Sequence, residues 1–429
     1  MLLMFNPQIH VAHRPLHVLW LNWCARLPQM LCCYLLFAAS LVVQAQGLQQ
    51  GKGADLQTTY VAQVGVDAWR LSPQTPERLL FLPTNSQWNY RSTSPWMTFD
   101  GQAAVHRHAA LSLKLRADQA LGTHVDEMSL DWALSPSLGV KTGVVSYKTS
   151  WCRTYDVDSP WVRENDPFCT IKTTSVASGG APGVQVYANT PVGDYRVQGL
   201  VGLYRPLLLN YNTTEFSNVD YPNSHIDRNS KKSLSVSVQN MDTATEFRLG
   251  LLNTVQSNYV YDYLNEGPDR VRQNYNVMFL GAAFYVRPKL QVRVQTLRHD
   301  MISNRRSPPG GEKPSYLGGA DLARRSHVLE MNYWHSAQDV LAFAVSKYTF
   351  DNSYINTNYP DPGYTNYRNY YRYGNRNLSA SWRHNWSEGF YTAVQWSYNK
   401  LDLYILDEQP SPYREAGGHG LGLRLGYQF

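Results

Sequence analysis

The sequence predicts an all-β protein: a transmembrane antiparallel β-barrel of about 16 strands, with short periplasmic turns and long extracellular loops. Three observations lead there. Apolar and polar residues alternate with period two in segment after segment, the mark of strands with one apolar and one polar face. Short and long connections take turns along the chain. The final strand is amphipathic to its last residue, an aromatic.

Composition agrees. Of 429 residues 43% are hydrophobic but only 17% are charged, against about 25% in an ordinary soluble domain. Polarity comes instead from Asn, Gln, Ser, Thr and 30 Tyr. That aromatic content excludes a disordered chain, and a helical membrane protein would need several long apolar runs.

Residues 1–45 differ from the rest. They hold Arg14 and Arg26 and no acid, then an apolar core, residues 31–43, and the small-residue pattern Val43-x-Ala45. This predicts a Sec signal peptide cut after Ala45, its core being too short for a spanning helix. Cleavage lowers the formal charge from +6 to +4, since two arginines leave. It also removes Cys24, Cys32 and Cys33. Cys152 and Cys169, left in an exported chain, are expected to form one disulfide. Residues 46–429 form the single barrel domain.

The predicted strands are 58–71, 95–105, 108–119, 124–134, 138–150, 183–190, 194–205, 232–241, 245–257, 273–286, 289–300, 325–335, 339–350, 374–385, 389–404 and 417–429. Met128, Leu130, Trp132 and Leu134 oppose Ser129, Asp131 and Ala133; Leu234, Val236 and Val238 oppose Ser233, Ser235 and Ser237. At the end, Leu421, Leu423, Leu425, Tyr427 and Phe429 oppose Gly422, Arg424, Gly426 and Gln428. The short turns lie at 135–137, 191–193, 242–244, 287–288 and 385–388, and the long loops at 151–182, 206–231, 258–272, 301–324, 351–373 and 405–416. In lipid every backbone polar group must be paired, so the sheet has to close on itself. A plugged transporter needs about 22 strands, more than this length supplies.

Three stretches resemble outer-membrane porins of Gram-negative bacteria: EMSLDWALSPSLGVKTGVVSYKTSW (127–151), YDVDSPWVREND (155–166) and the closing GLRLGYQF. The resemblance is specific over residues 95–169 and diffuse elsewhere. It implies a passive channel, often a homotrimer, with Tyr427 and Phe429 in the C-terminal signature read by the barrel-assembly machinery. The loop carries no standard porin constriction motif, so no eyelet residues are transferred.

Sixteen strands leave a water-filled lumen for small hydrophilic solutes. The inward register predicts a lining of Lys114 and Arg116, Arg196, Arg248, Arg293, Arg383 and Arg424, with Asp118 and Asp131 the main acids. A basic lining predicts mild anion preference; ordinary lumen polarity, paired with loop carboxylates, is the alternative. Loop 151–182 is the candidate constriction, with Arg153, Asp156, Asp158, Arg163, Glu164 and Asp166 around the Cys152–Cys169 tie. An external flap remains the other reading. Residues 355–373, dense in Tyr and Asn, suit a membrane-interface girdle better than a sugar track, and Trp132, Trp382, Trp386, Trp396 and Tyr427 are further girdle candidates.

No catalytic, cofactor or metal residues are predicted. His106, His108 and His419 lack an evident serine partner, and no GxSxG occurs. Gly179-Gly180 and Gly310-Gly311 lack the Lys-Ser of a phosphate-binding loop. Basic residues are spread around the chain, which argues against nucleic acid. A loop-mediated receptor or adhesin with an occluded lumen is the second reading.

Overall fold

A computed structural model describes residues 58–73, 91–118, 122–148, 151, 159–162, 166–169, 178–204, 225–262, 267–306, 317–356, 367–386, 389–406 and 414–429. The expected signal peptide lies outside them. Among the described residues no helix is long and apolar enough to cross a membrane.

The strands are β1 (Thr58–Pro73), β2 (Arg91–His106), β3 (Ala109–Asp118), β4 (Gly122–Ser135), β5 (Leu138–Lys148), β6 (Ser178–Val192), β7 (Tyr195–Tyr204), β8 (His225–Asn240), β9 (Glu246–Asp262), β10 (Gly267–Arg287), β11 (Leu290–Arg306), β12 (Leu317–Trp334), β13 (Asp339–Asn356), β14 (Tyr367–Asn385), β15 (Phe390–Leu406) and β16 (Arg414–Gln428). Each pairs antiparallel with its chain neighbours, and β1 pairs with β16 to close the barrel. All sixteen expected strands are present. The connections at one end of the barrel, the turn end, have two to five residues. Those at the other, the loop end, run from three (119–121) to 29 (149–177), and the long loop expected at 258–272 is only the four residues 263–266 because β9 and β10 extend into it. At the turn end Gly193 takes a φ of 59°, a backbone state natural to glycine, between β6 and β7.

Burial is inverted relative to a soluble protein. Leu421, Leu423, Leu425 and Tyr427 point outward and are exposed, whereas Gly422, Arg424 and Gly426 between them are buried. The same holds for exposed Leu234 and Val236 against buried Ser233, and for exposed Leu329 and Met331 against buried Glu330. An apolar face of this extent is at home only in lipid. Trp132, Tyr195, Phe247, Tyr285, Tyr333, Trp382, Trp386, Phe390, Tyr427 and Phe429 are all exposed near the turn end, an aromatic belt of the kind that anchors a barrel at an interface.

The structure differs from expectation at the loop end. β8 begins at His225 rather than 232, β12 at Leu317 rather than 325 and β14 at Tyr367 rather than 374, while β13 runs on to Asn356. Much of the expected loop at 351–373 is therefore paired strand. Alternation marks only the part of a strand with lipid on one side; beyond it, backbone pairing continues with polar side chains on both faces and leaves no period to read.

Closure is sealed by charge. Asp67 of β1 lies directly opposite Arg424 of β16. Arg424 Nε and Nη2 donate to the two carboxylate oxygens of Asp67 at 2.8 Å each, with both side chains fully buried. Trp96 Nε1 donates to the same carboxylate at 3.1 Å, and the guanidinium lies over the Trp96 ring. Breaking a buried pair strands the surviving charge at a cost of about 3–5 kcal/mol. Asp67→Ala is thus expected to lower the urea midpoint of the folded barrel, read as loss of its heat-modifiable electrophoretic mobility. Replacing both residues by leucine should recover part of that loss, because no orphan charge remains.

Candidate functional site

After β5 the chain enters the barrel. Trp151 N–H donates to the Gln295 side-chain oxygen at 3.0 Å, and the Trp151 ring packs edge-on against Phe279 and Phe168. Trp151, Phe168, Phe279, Ala283 and Val328 form one buried cluster on the inner faces of β10 and β12. This accounts for the apolar run of β10, which does not alternate. Met278 and Leu280 face outward, while Val277, Phe279 and Ala283 face inward, where the entering segment covers Phe279 and Ala283.

Residues 159–162 are held against the strands that follow. Trp161 is fully buried, packs on Ala342 and Ala344 of β13, and donates its indole N–H to Glu330 Oε1 of β12 at 2.9 Å. Ser381 of β14 donates to the Pro160 carbonyl, and Val162 N–H donates to Gln395 of β15 at 2.8 Å. A Cβ on Gly422 of β16 would come within 2.9 Å of Val162, so glycine there is what admits the segment. Asp166 caps the short 3-10 turn Pro167–Cys169, its carboxylate accepting from Phe168 N–H at 2.9 Å. Glu330 also accepts from Arg293 Nη1 at 3.3 Å, and Arg293 stacks on Trp151 at 4.8 Å and Phe168 at 5.1 Å.

The inner wall is consequently of two kinds. On β10–β16 the polar inward side chains of the middle of the wall, among them Gln295, Glu330, Ser379, Ser381, Gln395 and Ser397, are buried. On β2–β9, towards the turn end, most of the charged ones meet solvent, although Ser112, Glu127 and Ser129 are buried. Lys114 pairs with Asp100 at 2.8 Å (30% and 49% exposed), and Arg116 with Asp126 at 3.3 Å. Lys141 pairs with Glu127 at 2.8 Å and reaches Asp131 at 3.8 Å, and Arg248 pairs with Glu246 at 2.6 Å. Tyr187 donates to Asp131 at 2.5 Å. A register shift in the β3–β4 pairing, Lys114 opposite Glu127 but Leu115 opposite Val125, leaves Asp126 as the extra residue. Such a bulge lets two successive carboxylates both meet lumen cations.

The seven basic residues expected to line the lumen thus divide. Lys114, Arg116 and Arg248 are part-exposed and ion-paired, and Arg196 is exposed. Arg293, Arg383 and Arg424 face inward but are buried: Arg293 beneath the inserted segment, Arg383 over the Tyr391 ring with a bond to Asn385, and Arg424 on Asp67. Cys169 and Asp166 are buried in the segment. Cys152, Arg153, Asp156, Asp158, Arg163 and Glu164 lie outside the described residues, as does the Asp118 side chain. Sequence reading missed Asp67, Asp100, Asp126, Glu127, Glu246 and Glu330. Strand register would have found several of them, because Asp67 faces Arg424, Asp100 faces Lys114 and Arg293 faces Glu330 across neighbouring strands.

A lipid-fitted exterior around a polar interior with an inserted segment defines a transmembrane β-barrel. Its fold is that of the outer-membrane porins of Gram-negative bacteria. The anion-selective porin from Comamonas acidovorans is similar at a TM-score of 0.50 and 10% identity, covering 87% of this chain and 100% of that one. OprB of Pseudomonas putida matches at 0.50 and 13%, covering 87% and 94%, and OmpT, an outer-membrane protein of Vibrio cholerae, at 0.50 and 9%, covering 88% and 99%. No protein-family model and no curated protein sequence matches the chain.

Trp161 is the side chain on which segment docking most depends. Trp161→Ala removes a buried aromatic and orphans part of Glu330, a loss of about 3–5 kcal/mol from docking. Limited proteolysis should then cut within 151–182 in the variant while the barrel keeps its folded mobility; equal resistance to the wild type would show that other contacts suffice.

Proposed function

We propose that the protein is an outer-membrane porin that lets small hydrophilic solutes and ions diffuse passively through its lumen. The turn end faces the periplasm and the loop end the exterior. The observation that carries this reading is the two-sided wall: an inserted segment occupies the β10–β16 side, and hydrated, charged side chains line the β2–β9 side. A barrel acting only through its outer loops has no need of a hydrated inner wall.

In this reading residues 151–182 narrow the lumen, and a Cys152–Cys169 bridge ties the segment where it enters and leaves. Residues 1–45 direct Sec export, the barrel-assembly machinery reads Tyr427 and Phe429, and the barrel assembles as a homotrimer. The protein works without a cofactor and without catalytic chemistry, and it does not bind nucleic acid.

Charge pairing weakens the anion preference that the basic residues suggest. On the β2–β9 wall, among the described residues, part-exposed or exposed Lys114, Arg116, Lys141, Arg196 and Arg248 stand against Asp100, Asp126, Asp131 and Glu246, with Glu127 and Lys231 buried behind them. With the signs nearly balanced, permeabilities of anions and cations are expected within about threefold of each other.

Single-channel recording of the refolded mature chain in a planar bilayer with a salt gradient tests the reading. Long-lived stepwise openings, in threes for a trimer, and a small reversal potential are expected. Removing residues 152–169 should enlarge the step at least about twofold, since a sixteen-stranded barrel is otherwise a wide aqueous channel. Silence from a correctly folded barrel would overturn the channel and leave a loop-mediated receptor.

A further inference from the structure

Resting on the channel reading, we infer that the solutes this lumen favours are small zwitterions: amino acids and short peptides that carry an ammonium and a carboxylate a few ångströms apart. The ground is the pattern of charge on the open wall of β2–β5. Seven charged side chains on four adjacent strands alternate in sign from strand to strand, six of them part-exposed and the seventh, Glu127, buried beneath Lys141. Asp100 of β2 is opposite Lys114 of β3, and Lys114 is opposite Glu127 of β4. Asp131 of β4 is opposite Lys141 of β5, which also reaches Glu127 at 2.8 Å, and Arg116 bonds Asp126 beside them.

Accessibility separates this lattice from the other ion pairs of the interior. Asp67–Arg424 is wholly buried and Arg293–Glu330 nearly so, which suits them to hold the wall and the inserted segment in place. Asp100, Lys114, Arg116, Asp126, Asp131 and Lys141 are between 21% and 49% exposed and can meet a passing solute.

Hydrated ion pairs are held weakly and exchange partners readily. A lone anion that takes the Lys114 ammonium leaves Asp100 without its partner, and a lone cation does the reverse. A neutral polyol replaces charge-assisted bonds with ordinary ones about half as strong. A zwitterion laid across the pair satisfies both ends: its carboxylate takes the lysine and its ammonium takes the aspartate, so each charge that gives up a partner gains another. Lys141 is held at 2.8 Å by buried Glu127, so part-exposed Asp131, 3.8 Å from the same ammonium, has room for an incoming ammonium without breaking that bond.

Swelling of proteoliposomes containing the mature chain tests this, with L-glutamine as the zwitterion and L-arabinose as a neutral solute of similar size. Glutamine is expected to enter about two to five times faster, the scale set by exposed charge pairs. In the neutralised variants D100N/K114M and E127Q/D131N/K141M, checked for folded mobility, the glutamine-to-arabinose ratio should fall towards one. Equal entry into wild-type vesicles, or a ratio unchanged in both variants, overturns the zwitterion preference and leaves the channel intact. Entry of neither solute overturns the channel reading itself, and this inference with it.

Discussion

Closure of the sheet between its first and last strands is the constraint on which everything else rests. A strand edge in lipid leaves a row of backbone groups with nothing to bond, so the barrel has no stable half-closed form. β1 and β16 are also the most distant elements in sequence, and their register must be fixed without help from a connecting turn. Direct opposition of Asp67 and Arg424 provides that fix, because a slip of one residue would turn one of the two charges towards lipid and leave the other buried without it. The terminal residue contributes too, with Phe429 N–H donating to the Ala62 carbonyl at 2.9 Å.

Once closed, a sixteen-stranded wall encloses more space than its own side chains fill, and this chain fills part of it with its own backbone. The inserted segment is held by side-chain amides and carboxylates that take its backbone and indole N–H groups, as Gln295, Gln395 and Glu330 do. Buried polar groups on an inner wall are costly unless each finds a partner, and the segment supplies partners for these. Small inward residues make the space: Ala342 and Ala344 beneath Trp161, Gly422 beneath Val162. The arrangement is a core of soluble-protein type, built inside a barrel whose exterior obeys the opposite rule.

The interior therefore holds two populations of charge with different physical roles. Sealed pairs pay a large desolvation penalty and repay it by fixing geometry, as Asp67–Arg424 fixes the seam and Arg293–Glu330 the segment. Hydrated pairs on β2–β5 add little to stability but remain available to solutes. Net charge distinguishes neither population, which is why a chain with a surplus of lysine and arginine can present a nearly balanced wall.

The number of strands, their order, the outward face of each and the class of protein were legible in the sequence, because lipid on one side of a strand enforces a period of two that composition and spacing display directly. Leu421, Leu423 and Leu425 against Gly422, Arg424 and Gly426 show it most plainly. Strand ends at the loop end were not legible, since pairing persists there after the lipid that imposes the period has ended. Nor was the docking of residues 151, 159–162 and 166–169 on the inner wall, nor the partner of any lumen charge. Arg293 and Arg424 look, one residue at a time, like pore lining; whether such a side chain meets water or lies sealed depends on what covers it and on which carboxylate stands opposite. Both follow from inter-strand register and from a segment folding back across the barrel, and those long-range contacts leave no periodic mark on the chain itself.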